Sequence, residues 1–196
     1  MKRPKIIEFS GLPNSGKTTL LHNLQEICKN NNVSARIVQE PAELLPTCIL
    51  KGSVEQNLWI TLETLQLCLE IKRITDVDFI LLDRGFYNQL FWASMYKKDN
   101  PEYSEYVHEL VVNCDKMFSL KPDYLFVVDV SVEEGIRRRM ENGGAVTFSK
   151  ANFLIDYQEK FQMFYKEISP RFYIDSTTMT PEQVADEVFK TIISLS

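Results

Sequence analysis

The segment Gly11-Leu12-Pro13-Asn14-Ser15-Gly16-Lys17-Thr18 constrains this chain more than any other. It has the form G-x-x-x-x-G-K-[ST], a phosphate-binding loop (P-loop). A strand-like run, Ile6-Ile7-Glu8-Phe9-Ser10, precedes it. Apolar residues at helical spacing follow it: Leu20, Leu21, Leu24, Ile27 and Cys28. Strand, glycine-bearing loop and helix is the context in which such a loop binds phosphate. Gly11 and Gly16 let the backbone turn and come close to a phosphate without a Cβ in the way. The loop N–H groups and the helix N-terminus then point at an anion.

Lys17 is expected to reach the β- and γ-phosphates of a triphosphate, and the Thr18 hydroxyl to ligate Mg²⁺. The candidate triphosphate-binding residues are Gly11, Asn14, Ser15, Gly16, Lys17, Thr18 and Thr19.

At 196 residues the chain fits one α/β domain, read here as 1–196. Its net charge of −5 supplies no global basic field, so neither a large nucleic-acid surface nor a membrane is expected as partner. Positive charge is instead local, at Arg137-Arg138-Arg139. Cys28, Cys48, Cys68 and Cys114 have no metal-ligand spacing and read as reduced thiols. Pro4 and Glu8 interrupt any signal-like apolar core behind Lys2 and Arg3, and no run is long enough to span a bilayer. The expected location is cytoplasmic.

Strand and helix patterns alternate along the chain. Strands are expected at Ile6–Ser10, Ala35–Gln39, Phe79–Asp83, Tyr124–Asp129 and Phe172–Asp175. Phe79–Asp83 and Tyr124–Asp129 are continuous apolar runs ending in an acid, the pattern of parallel strands covered on both faces. A long helix from Glu55 to about Thr75 carries a stripe of Leu58, Leu62, Leu65 and Leu69. Further helices are expected at about Tyr87–Lys97, Pro101–Ser119, Val132–Met140 and Lys150–Ile168, with a final one starting near Pro181. The reading is a three-layer α/β P-loop NTPase fold with a five-stranded parallel sheet. Gly11, Glu40, Asp83 and Asp129 follow or end strands, so they converge on the edge where such sheets bind ligands.

Asp83 stands where the second acidic motif of an NTPase belongs and can hold the Mg²⁺ shell; a structural Asp–Arg pair is the alternative. Arg84 offers a permanently charged planar fork to phosphate. Glu40, where the second strand meets the cleft, can accept a proton from an attacking hydroxyl. The segment of about 137–148 reads as an Arg-rich lid, hinged by Gly143-Gly144. Its arginines are consecutive and cannot all face one ligand. Phe153, Tyr157, Phe161, Phe164 and Tyr165 form a helical aromatic stripe, read as core packing. Trp59 and Gln66, seven apart on one helix face, are candidates to line a base pocket.

In motif order the chain resembles the P-loop kinases of nucleosides and nucleotides, the thymidylate kinase and deoxynucleoside kinase group. The resemblance runs over nearly the whole length. It is carried by Gly11–Thr18, Glu40-Pro41, Asp83-Arg84, Arg137–Arg139 and the Ile174-Asp175-Ser176-Thr177 ending. It implies Mg-ATP-dependent phosphoryl transfer to a nucleoside or nucleoside monophosphate, with ATP and Mg²⁺ as cofactors. Lys17, Glu40, Asp83, Arg84, Arg137 and Arg139 form the implied catalytic set. Glu40 resembles the general base of deoxynucleoside kinases, and Gln66 their base-reading glutamine. Glu40, Trp59, Gln66 and Arg84 make up the implied acceptor site, and Thr18 and Asp83 the metal site. Residues Ser176–Pro181 lie where adenine would be flanked. A homodimer through apolar helices, at Leu58–Leu69 or Tyr87–Tyr96, is expected by the same resemblance.

The chain departs from the group at Pro13, where thymidylate kinases usually carry an acid. It departs also at Gln39, in place of an arginine, and at Gly85, where deoxynucleoside kinases usually have a serine. The rival readings are a P-loop ATP-binding regulator and a kinase of a non-nucleotide acceptor.

Overall fold

The inner strands of the sheet come from the most continuously apolar runs of the chain. The computed structural model describes residues 3–144 and 148–195. β1 (Lys5–Gly11), β3 (Phe79–Asp83) and β4 (Tyr124–Asp129) are buried along nearly their whole length. β2 (Ala35–Val38) and β5 (Arg171–Asp175) are the more exposed edges. The strand order is β2-β3-β1-β4-β5, and every neighbouring pair is parallel. Parallel neighbours need crossover connections, which helices supply. These are α1 (Lys17–Asn30), α2 (Val54–Ile71), α3 (Phe86–Met95), α4 (Pro101–Phe118), α5 (Val132–Glu141) and α6 (Phe148–Lys166), and α7 (Pro181–Ser194) follows the last strand. A short 3₁₀ turn, Pro41–Leu44, follows β2.

Alternating side chains of β4 feed two separate cores, and β1 adds to one of them. Ile7, Phe9, Phe126 and Val128 pack with Leu20, Leu24 and Val188 of α1 and α7. Leu125 and Val127 pack with Phe91 of α3 and with Tyr157, Phe161 and Tyr165 of α6. Helices thus cover both faces, giving the three layers and the five-stranded parallel sheet expected from sequence. Each fully buried large apolar side chain in these layers contributes about 1.5–3 kcal/mol relative to an exposed one. Among the described residues no helix is long and apolar enough to cross a membrane.

The face of α2 differs from the leucine stripe read in the sequence. Leu62 and Leu69 are exposed, and the buried face is Asn57, Thr61, Thr64, Leu65, Cys68 and Ile71. The polar members are inside because they are hydrogen-bonded, which removes most of the cost of burial. Thr61 Oγ1 donates to Asn57 O at 2.8 Å, Gln89 Nε2 donates to Thr64 Oγ1 at 3.1 Å, and the Tyr103 hydroxyl donates to Asn57 Oδ1 at 2.6 Å. The helix is therefore rotated relative to a pattern based on leucines alone.

Helix ends follow local chemistry. Thr180 and Gln183 form a reciprocal capping box on α7, with Pro181 in its first turn. The Ser131 side chain caps α5 by accepting from Glu134 N. Of the lid expected over 137–148, the structure describes the end of α5 and the turn to Gly144, while 145–147 lie outside the described residues.

Candidate active site

The P-loop leaves β1 at a point where a side chain does not fit. A Cβ on Gly11 would lie 2.4 Å from Val128 O and 2.8 Å from Ser15 Oγ. Gly16 then starts α1 with φ of 86°, in the left-handed region. Lys17 is the first residue of α1, and its Nζ folds back to donate to Gly11 O at 3.3 Å. Its ammonium is buried. That burial, followed by the nearby Arg84 charge, pushes its pKa down to about 7, with Asp83 and Glu40 acting the other way. Exclusion of water is the main cause, and an anion bound beside the ammonium would oppose it.

Asp83 ends β3 directly beside this cradle. Its Oδ2 accepts from the Thr18 hydroxyl at 3.5 Å, and its Oδ1 is buried with no hydrogen-bond partner in the protein. Burial raises its pKa, against the pull of Lys17 and Arg84. Arg84 takes φ of 57°, and its N–H donates to Phe9 O at 3.0 Å. A non-glycine residue held in this region costs about 1–3 kcal/mol, a cost found mainly where function needs the geometry. The turn aims the guanidinium at Glu40, whose Oε1 and Oε2 each accept from Arg84 Nη1 at 2.7 Å. Burial disfavours the Arg84 charge, but Glu40 more than offsets this, so the guanidinium is held more firmly protonated than usual.

Gly85 follows for a steric reason. A Cβ there would come within 2.4 Å of Leu82 Cδ2 and 3.0 Å of Glu8 Oε2. Glu8, fully buried in β1, underpins the turn. Its Oε2 accepts from Tyr87 N at 3.0 Å, and its Oε1 from Asn88 N at 3.0 Å and Ser10 Oγ at 3.1 Å. Ser10 Oγ in turn accepts from the Tyr165 hydroxyl at 2.9 Å. A carboxylate at the start of α3 suits the positive end of the helix. Burial still dominates and pushes the Glu8 carboxyl up to about 7, despite these bonds.

On the other side of the P-loop lies a cleft of about 560 Å³. Its walls are Asn14–Gly16 and Thr19 from the P-loop and α1, Glu134, Arg137 and Arg138 from α5, and the segment Ser176–Pro181. Arg138 ties these walls together. Its Nη1 donates to Ser15 O at 3.3 Å and Ser176 Oγ at 3.2 Å, and its Nη2 to Ser176 O at 2.6 Å. Arg137 is exposed on the cleft rim and pairs with Glu134 at 2.6 Å and with Glu141.

The fold therefore gathers Lys17, Thr18, Asp83, Arg84 and Glu40 into one group, with the rest of the P-loop beside it. Gln66 is not brought there. It is exposed on α2, and its amide donates to Glu70 Oε1 at 2.9 Å. The same rotation that exposes Leu62 carries it off the buried face. Trp59 is half-buried on α2. In the arginine run, the side chain that reaches the P-loop is Arg138, flanked by the two selected from sequence. Arg139 lies under Gly144, whose N–H bonds to its carbonyl at 2.9 Å. Glu8 was also overlooked; its signal was an acid inside an otherwise apolar strand.

No protein-family model matches the chain. A probable thymidylate kinase of Sulfurisphaera tokodaii is 28% identical over 139 residues, covering 69% of this chain and 68% of that one. The thymidylate kinase of Brachyspira hyodysenteriae is 24% identical, covering 96% of this chain and 93% of its own. The same fold occurs in the thymidylate kinase of Candida albicans, with TM-score 0.66, 19% identity and coverage of 98% and 92%. It also occurs in a deoxyadenosine kinase of M. mycoides, with TM-score 0.68, 16% identity and coverage of 96% and 99%. The chain is a kinase whose relatives are thymidylate kinases and whose fold a deoxyadenosine kinase shares. As a kinase it is a phosphotransferase, and the cleft and the Glu40–Arg84 pair lie on opposite sides of its P-loop.

Proposed function

We propose that this kinase transfers the γ-phosphoryl group of Mg-ATP to a nucleoside or nucleoside monophosphate. Thymidine monophosphate, the acceptor named by the curated relatives' activity, is the first to test. The observation that carries the reading is the electrostatic grouping of Lys17 with Arg84, Asp83 and Glu40 in one partly water-excluded place. A phosphate cradle and a carboxylate–guanidinium pair in mutual reach are what transfer between two bound oxygens needs.

The residues fit Mg²⁺. The partnerless Asp83 Oδ1 and the neighbouring Thr18 hydroxyl offer two oxygen donors, and this ion keeps several of its own waters. When bound it supplies neutralisation of phosphate charge. Lys17 binds the donor phosphates in its protonated form. Glu40 accepts the proton of an attacking hydroxyl if the acceptor is a nucleoside; a monophosphate is already a nucleophile and needs no base. Arg84 reduces repulsion between the two anions. Arg138 holds Ser15 against Ser176 and so shapes the cleft in which ATP's base would sit, with Arg137 and Arg139 left as candidate lid arginines.

The test is transfer from [γ-³²P]ATP with Mg²⁺ to a panel of deoxynucleosides and their monophosphates. ADP release that depends on one of these acceptors supports the reading. Hydrolysis at the same rate with every acceptor and with none would sink it, and would favour an ATP-binding regulator.

A further inference from the structure

Among the described residues, five buried side-chain polar atoms lack a hydrogen-bond partner in the protein: Ser15 Oγ, Asp83 Oδ1, Arg84 Nε, Asn88 Nδ2 and Tyr157 OH. The first four belong to the P-loop, the end of β3, the turn after it and the first turn of α3. Tyr157 comes from α6, far away in sequence, yet it converges on the same place. Its ring meets Phe91 of α3 edge-on at 5.1 Å and shares a core cluster with Leu12 of the P-loop. Its hydroxyl is within electrostatic reach of both Arg84 and Glu40.

The surroundings make this hydroxyl informative. Phe91, Phe161 and Phe153 pack around Tyr157, whose residue exposure is 1%. A phenylalanine would fill the same space without stranding a polar atom, and a stranded buried hydroxyl is destabilising. Tyr165, on the same face of α6, has its hydroxyl bonded to Ser10. The Arg84 Nε–H is stranded in the same way, since the contacts with Glu40 use Nη1, and the Arg84 charge acts on the Tyr157 hydroxyl. Two unmet donors, one from a guanidinium and one from a phenol, match a ligand oxygen that accepts both.

We propose that Tyr157 is an acceptor-binding residue: its O–H and the Arg84 Nε–H donate to an oxygen at the reacting end of the acceptor. The proposal rests on the kinase reading above and adds a residue to its acceptor side. Burial, partly opposed by Arg84, pushes the Tyr157 hydroxyl up to about 12, so at neutral pH it retains its proton and can donate. A nucleoside hydroxyl and a monophosphate oxygen share the required chemistry, and the two arms of the experiment separate them.

The experiment compares the full-length parent with Tyr157→Phe. Binding of thymidine and of thymidine monophosphate is measured by calorimetry without ATP, and KM values for acceptor and ATP by steady-state assay. The expected result is a rise of about 10-fold or more in Kd and KM for the acceptor the parent uses, with ATP KM within about twofold. Tm should stay level or rise, because no hydrogen bond within the protein is lost. Tyr165→Phe, which does lose one, should lower Tm without the acceptor effect. Unchanged acceptor affinity in Tyr157→Phe, beside a parent that binds, overturns this proposal alone. A parent that binds and phosphorylates neither these two probes nor any other nucleoside or monophosphate overturns it together with the kinase reading.

Discussion

Arg84 Nη1 donates to both carboxylate oxygens of Glu40 at 2.7 Å, joining the turn after β3 to the turn after β2. The two side chains are only 18% and 16% exposed, so the pair is largely shielded from water. It binds together two strand ends that carry no other charged contact of this kind among the described residues. It also holds a potential base and a fixed cation at the mouth of the phosphate cradle.

Glu40→Gln keeps the volume and removes the charge. With a nucleoside acceptor, turnover should fall about 10²–10⁴-fold, the usual contribution of a positioned base. With a monophosphate acceptor the loss should stay below about 10-fold. Steady-state rates with both acceptor types decide the matter, and equal losses with both would remove Glu40 from the role of base.

Lys17→Ala should abolish transfer while leaving the fold intact. The Lys17 ammonium is desolvated, and its pKa of about 7 shows that burial opposes its charge when no phosphate faces it. Its removal should therefore leave Tm level or higher. A circular-dichroism melt alongside a transfer assay checks both halves, and a variant that keeps turnover would contradict the assignment of the P-loop.

Glu8 makes stability depend on pH. Its carboxyl has a pKa of about 7 when folded, against an ordinary value of 4.5. The folded state therefore binds the proton more tightly. The stabilisation this brings is fully present below about 4.5 and is lost as pH rises through about 7. The size is on the order of 3 kcal/mol for a shift of this kind. Urea unfolding across that window should show the slope, and Glu8→Gln should flatten it. The same slope in the variant would assign it to other groups.

Arg138→Ala removes the bridge from α5 to Ser15 and Ser176. Charge-assisted hydrogen bonds of this type contribute about 1.5–3 kcal/mol. The KM for ATP should rise about 10-fold or more, with acceptor KM little changed. Arg137→Ala removes an exposed, solvent-screened pair and should leave Tm nearly unchanged. Equal effects of the two variants on ATP KM would show that the contact with Ser15 is incidental.

Much of the fold was legible because its signals are local. Residues Phe79–Asp83 and Tyr124–Asp129 read as strands from continuous apolarity, and both strands have those bounds. The P-loop was legible because its chemistry lies in one short contiguous segment. Asp83-Arg84 and Glu40-Pro41 could be picked out because each stands at a strand end. The α2 face was misread because Thr61, Thr64 and Asn57 are buried by hydrogen bonds to residues of α3 and α4, which a helical period cannot show. Gln66 followed that misreading. Arg138 could not be told from Arg137 or Arg139 by spacing, since the choice depends on where α5 meets Ser15 and Ser176.

By itself the sequence determined a parallel α/β sheet with a P-loop sequence at the end of its first strand, because hydrophobic runs and the loop pattern act over a few neighbouring residues. Only the tertiary structure decided that Arg84 meets Glu40, that Glu8 supports the turn from below, and that the Tyr157 hydroxyl comes within electrostatic reach of Arg84 and Glu40. Those relationships join residues 44, 79 and more than 70 positions apart. They depend on sheet order, on the left-handed turn at Arg84 and on the packing of α6 against α3, and no local pattern encodes any of these.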